Sequence, residues 1–239
     1  MRSALLLPML AVTASTAAFA WGDNETVRGN GDITTEKRAI ADVTAIGAGG
    51  GLKVDVQKGA PSLTIETDRN LLQYVQTEVK DGRLTIAPKR NTSLKPTKAI
   101  KVTITVPSLT AVSASGGVDF NVEAPLLKNA KVEANGGVNM HVANIDADLL
   151  DIDASGGVEM SLSGRASAAT VDLSGGVQVH AARLAVKNMK LDASGGCGLD
   201  VAVEDALQGD ISGGVDVQVH GAPQVKVSRS GGAAVRLRD

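Results

Sequence analysis

A small-residue corner recurs through the second half of this 239-residue chain, and it restricts the fold more than any other feature. It reads Ser115-Gly116-Gly117, Asn135-Gly136-Gly137, Ser155-Gly156-Gly157, Ser174-Gly175-Gly176, Ser194-Gly195-Gly196, Ser212-Gly213-Gly214 and Ser230-Gly231-Gly232. The first glycines lie 20, 20, 19, 20, 18 and 18 residues apart. Self-similarity on that scale marks a repeat architecture, in which a unit buries its apolar face only against its neighbours. Counted from the first glycine, the second, fourth and sixth positions onward are apolar, as in Val118, Phe120 and Val122 or Val215, Val217 and Val219. The positions between them are mostly polar, as in Asp119 and Asn121. The fourth and second positions before the glycine are again mostly apolar, as in Val112 and Ala114 or Ile152 and Ala154. Strict alternation is the period of a half-buried strand. Each repeat therefore predicts at least two short strands about a glycine corner, stacked on copies about 4.8 Å above and below.

This pattern predicts an all-β chain wound as a parallel β-helix with about 18–20 residues per coil. Beyond residue 20 the only aromatic side chains are Trp21, Tyr74 and Phe120, so Val, Ile, Leu and Ala must fill the core. Thin stacked coils allow that. Residues 111–239 hold the regular coils. Residues 38–110 are β-rich but less regular, with alternation in Leu52–Val56, Leu63–Glu66 and Ile100–Val106. They are expected as wider starting coils of the same domain, 38–239. Asp81-Gly82 predicts a two-residue hairpin turn. Residues 21–37 are expected as a mobile leader.

The N-terminus speaks to compartment. Arg2, the apolar run Ala4–Val12 and Ala18-Phe19-Ala20 read as a signal peptide over 1–20, cleaved before Trp21. The expected location is therefore periplasmic, at the cell surface or extracellular. Net charge is −2, which carries no footprint for nucleic acid. Cys197 is the only cysteine and stands in the inward valine column, so it is either buried or paired between chains.

Arg38-Ala39-Ile40, the strands at Leu52–Val56 and Leu63–Ile65, and Asp68-Arg69-Asn70-Leu71-Leu72 follow one another in order. Lys80-Asp81-Gly82-Arg83-Leu84-Thr85-Ile86, then Val102–Leu109 and the Ser/Gly corners complete the series. In this order the chain resembles the family described as putative auto-transporter adhesin, head GIN domain, from about Arg38 onward. Ser-Gly-Gly-Val stands here where family corners read more like Gly-Ser-Gly-Asp. The resemblance implies a right-handed β-helix in an exported bacterial protein, an adhesin-like role, and no catalytic residues.

An acidic column is the most informative candidate site. Glu133, Asp153, Asp172, Asp192 and Asp210 each stand three residues before a corner, with Ser113 and Ser228 at the two ends. Carboxylates aligned at strand spacing repel, so cations, a basic partner or basic neighbours such as Lys131 and Lys190 must offset them. The readings are a solvated face that discourages aggregation, a calcium site, and a face for a cationic partner. His141 and His180 share another outward column with His220 nearby; solvated histidines are the plainer reading, since a zinc site needs three or four converging ligands. Gly195–Val201 matches a calcium nonapeptide once, without the tandem copies that motif needs.

Basic residues define two further candidates. Lys89, Arg90, Lys95 and Lys98 lie in a stretch expected as a loop, 87–99, either plainly solvated or facing lipopolysaccharide or anionic lipid. Arg229, Arg236 and Arg238 fall in the last coil, where charge blunts an open strand edge; the alternatives are an anionic partner or a second copy docking there. No nucleophile–base pair or phosphate loop is legible. The function expected is a non-catalytic envelope or surface protein that binds a glycan or protein. The rivals are a polysaccharide-acting β-helix enzyme and a structural or signalling module capped by a partner.

Overall fold

A computed structural model describes residues 25–238; the expected signal peptide lies outside the described residues. Among the described residues the chain is all-β apart from one 3-10 turn at Arg69–Tyr74. The first strands are β1 Glu25–Arg28, β2 Ile33–Arg38, β3 Ala45–Gly49, β4 Leu52–Lys58, β5 Ser62–Asp68, β6 Val75–Lys80, β7 Arg83–Pro88, β8 Thr92–Lys95 and β9 Ile100–Val106. The repeats supply β10 Leu109–Ser115, β11 Val118–Val122, β12 Leu126–Asn135, β13 Val138–Gly195, β14 Gly198–Gly213, β15 Asp216–His220, β16 Gln224–Gly231 and β17 Ala234–Arg238. The ladder of β13 continues unbroken through its corners; 58 residues in one straight strand would run to roughly 190 Å.

The alternation in the sequence becomes register. Before the corners, Val112 pairs with Val132 and Val132 with Ile152, all in parallel. After them, Val54 pairs with Phe120 and Phe120 with Met140; further on, Leu199 pairs with Val179 and Val217. Every one of these side chains is buried. At about 1.5–3 kcal/mol for each fully buried aliphatic side chain, the stacked columns supply the driving force. At the first corner position Gly195 admits no side chain. Gly195 has φ +99°, and a Cβ there would lie 2.7 Å from the Gly175 carbonyl oxygen one repeat away.

In residues 38–110 parallel pairing, as in β3 with β7 and β4 with β9, is interrupted by antiparallel pairs. β2 pairs antiparallel with β5, β5 with β9, and β6 with β7, so the sheet is mixed rather than a run of wider parallel coils. The cause for β6–β7 is local, since Asp81 and Gly82 take φ +50° and +73° in a two-residue turn that joins antiparallel neighbours. The stretch expected as a leader carries two strands, β1 against β8 and β2 against β5. The stretch expected as a loop, 87–99, contains β8 for the same reason. Asp68 ties these segments together. Its enclosed carboxylate accepts from the Gly31 N–H at 2.7 Å, the Thr97 N–H at 2.9 Å and the Thr97 hydroxyl at 2.7 Å. Those bonds outweigh burial and hold its pKa below the ordinary carboxylate range.

Candidate functional site

The acidic column forms as read from the sequence. Glu133 pairs with Asp153 across one ladder and Asp192 with Asp210 across another, and Asp172 feels both Asp153 and Asp192 electrostatically. Two positions on, Asn135, Ser155, Ser174, Ser194 and Ser212 form a second outward row at the edge of the corner. Between the rows runs a shallow groove of about 530 Å³, walled by Asp153, Asp172, Asp192 and Asp210 on one side and the serines on the other.

Lysines compensate the two flanks of this column. The Lys131 ammonium lies 3.0 Å from Glu133, 3.4 Å from Asp153 and 3.7 Å from Asp151. Lys190 lies 2.7 Å from Asp192 and holds that carboxyl below its ordinary range. Asp172 stands between them. Burial, then repulsion from Asp153 and Asp192, pushes its pKa up. Its neighbour Asp151 belongs to the adjacent outward row, in register with Lys131. Asp151, Asp153 and Asp172 each bring one oxygen to within 4.8 Å of the others. Calcium takes six to eight oxygens, so this trio supplies about half a shell. Reading only the column three residues before the corner missed Asp151; the neighbouring row Lys131, Asp151, Thr170, Lys190 carried the signal.

Among the described residues no histidine joins a converging set of three ligands. His180 lies 4.0 Å from Glu159, and His220 is hydrogen-bonded to Asp200 at 2.7 Å. Cys197 is buried, with its thiol directed at the Ser194 carbonyl oxygen at 3.3 Å. The basic stretch is exposed at Lys89, Arg90, Lys95 and Lys98; β8 carries Lys95 opposite Arg28 of β1. In the last repeat Arg236 pairs with Asp216, while Arg229 and Arg238 are exposed. Arg229 occupies the inward column opposite Ile211. The arginines leave Leu237 57 % and Val225 38 % exposed beside them. No helix of the described residues is long and apolar enough to cross a membrane.

The architecture is a repeat-built β protein whose outward rows present a polar, largely acidic surface on a buried aliphatic core. The chain belongs to the family described as putative auto-transporter adhesin, head GIN domain, whose model matches residues 42–223. It is similar to a putative adhesin from Bacteroides fragilis NCTC 9343, with TM-score 0.81 and 20 % identity over 89 % of this chain and 100 % of that one. It is similar to a putative adhesin from Parabacteroides distasonis ATCC 8503, with TM-score 0.72 and 24 % identity over 90 % and 100 %. A putative lipid binding protein from the same strain matches at TM-score 0.69 and 20 % identity over 90 % and 100 %. Those likenesses establish the shared fold. No curated protein matches the chain.

Proposed function

We propose that this chain is an exported, non-catalytic, adhesin-like protein of the cell envelope or surface, wound as a right-handed parallel β-helix that binds a glycan-bearing surface. The observation that carries this reading is the groove between the acidic and serine rows, repeated at strand spacing over four repeats. A rigid ladder of identical groups matches a ligand that is itself repetitive. Asp151, Asp153 and Asp172 would hold a calcium ion in place of the Lys131 ammonium, and that ion would bridge to sugar hydroxyls or anionic groups. The reading is tested by retention of the purified exported chain on bacterial and host polysaccharides and lipopolysaccharide, with and without calcium. Retention supports it, and a calcium requirement assigns the acidic groove. No retention on any surface contradicts it.

A second reading is favoured by Leu237 and Val225, exposed beside Arg229, Arg236 and Arg238. It is association of β16 and β17 with a protein partner or a second copy. Sedimentation against concentration tests the copy: association lost in Leu237→Asp supports it, and a monomer at all concentrations contradicts it.

A further inference from the structure

One outward row lies on the far side of the glycine corner from the acidic groove. It runs Asp119, Asn139, Glu159, Gln178, Gly198, Asp216 and Ala234, with a polar side chain at every place before the last except Gly198. Gly198 pairs with Gln178 on one side and Asp216 on the other. With one side chain missing, the flanking strands bound a slot about 9–10 Å tall. The slot opens as a pocket of about 380 Å³. That falls within the range of roughly 300–1,000 Å³ usual for small-ligand sites.

The backbone does not account for this glycine, because Gly198 is absent from the left-handed region. The atoms nearest to an added Cβ would be the end of the Gln178 side chain, with its Oε1 at 2.1 Å. The Gln178 amide thus lies folded over the slot. Around it stand His180, Asp200, Asp216 and Gln218. His220 bonds the Asp200 carboxylate at 2.7 Å and Arg236 pairs with Asp216, so both carboxylates are held in place.

We infer that the Gly198 slot is a subsite for one ring of a neutral glycan. The inference rests on the surface-binding reading and names its ligand class. Amides donate and accept, and carboxylates accept, so Gln178, Gln218, Asp200 and Asp216 match the paired donors and acceptors of vicinal hydroxyls. Asp200 disfavours a polyanion at this place, while the charge of Asp216 is offset by Arg236. Gly198 is part-buried beneath the Gln178 amide, and with that amide displaced its backbone lets a ring approach edge-on, which an added side chain would prevent.

The test is saturation-transfer NMR on the purified exported chain with neutral gluco-, manno- and galacto-oligosaccharides and with a zinc salt. Transfer from at least one neutral oligosaccharide is expected, weakened at least about tenfold in Gly198→Gln and Asp200→Asn. Gly137→Gln, which fills open space in another repeat, leaves it unchanged. Transfer that survives Gly198→Gln overturns the subsite, as does zinc binding lost in Asp200→Asn without any sugar signal. If Gly198→Gln abolishes no retention on whole polysaccharide surfaces, the slot fails and the broader reading stands. If the unmodified chain is retained nowhere, the broader reading fails with it.

Discussion

The Lys190 ammonium sits 2.7 Å from the Asp192 carboxylate, two residues along the same strand, and leaves Asp172 in the next repeat without an ion-pair partner among the described residues. The acidic column is therefore compensated at Glu133, Asp153 and Asp192 and strained at Asp172. The sign of that strain is testable. Asp172 has a folded pKa above its ordinary value of 3.8, so its ionisation opposes folding, and the penalty appears as pH rises through the shifted pKa. Asp172→Asn is expected to raise the denaturation midpoint at neutral pH and to leave it unchanged below about pH 3. A lower midpoint at neutral pH would contradict the assignment.

Lys131 contributes in the opposite sense. Its ammonium faces three carboxylates, and Lys131→Met is expected to cost about 1 kcal/mol, the upper end for a surface ion pair. The cost should shrink as salt is raised from about 0.02 M to about 0.5 M, because screening weakens both the lost attraction and the exposed repulsion. Urea denaturation at the two salt concentrations measures it.

The two glycines of a corner should respond differently to alanine. Gly195→Ala forces a Cβ into φ +99° and against the Gly175 carbonyl oxygen, so a loss of about 2–4 kcal/mol is expected. Gly137 lacks a positive φ and has nothing within 4 Å of an added Cβ, so Gly137→Ala should stay within about 0.5 kcal/mol of the parent. Equal losses at both positions would contradict the corner geometry.

Phe120 is the largest fully buried side chain, stacked between Val54 and Met140. Phe120→Ala is expected to cost about 3–5 kcal/mol by calorimetry or denaturant unfolding, since a ladder fixed from both sides collapses little around a cavity.

The repeats were legible because their pairing is an offset of the sequence on itself. Once Val112, Val132 and Ile152 fall in one column, their contact and burial follow. In residues 25–110 only β3 and β4 continue those columns about a glycine corner, Gly49-Gly50-Gly51, pairing Ile46 with Val112 and Val54 with Phe120. β2 meets β5 across some thirty residues, and β5 meets β9 across some forty, in antiparallel registers that no column alignment reveals. β1 and β8 are four residues each, too short for alternation to show. The acidic column was visible for the reason the core was. The trio with Asp151 was not, because it joins two neighbouring rows diagonally. The Gly198 slot is an absence within a row, visible only once its neighbours are in place.

The most direct test of the central claim compares the exported chain with a variant in which Asp153, Asp172, Asp192 and Asp210 are all asparagine. The two are measured for retention on immobilised polysaccharides and lipopolysaccharide, with calcium and with chelator. The account predicts that the parent is retained on at least one surface and that the variant, folded to the same midpoint or higher, loses most of that retention. Undiminished retention of the variant would show that the acidic groove is not the binding face.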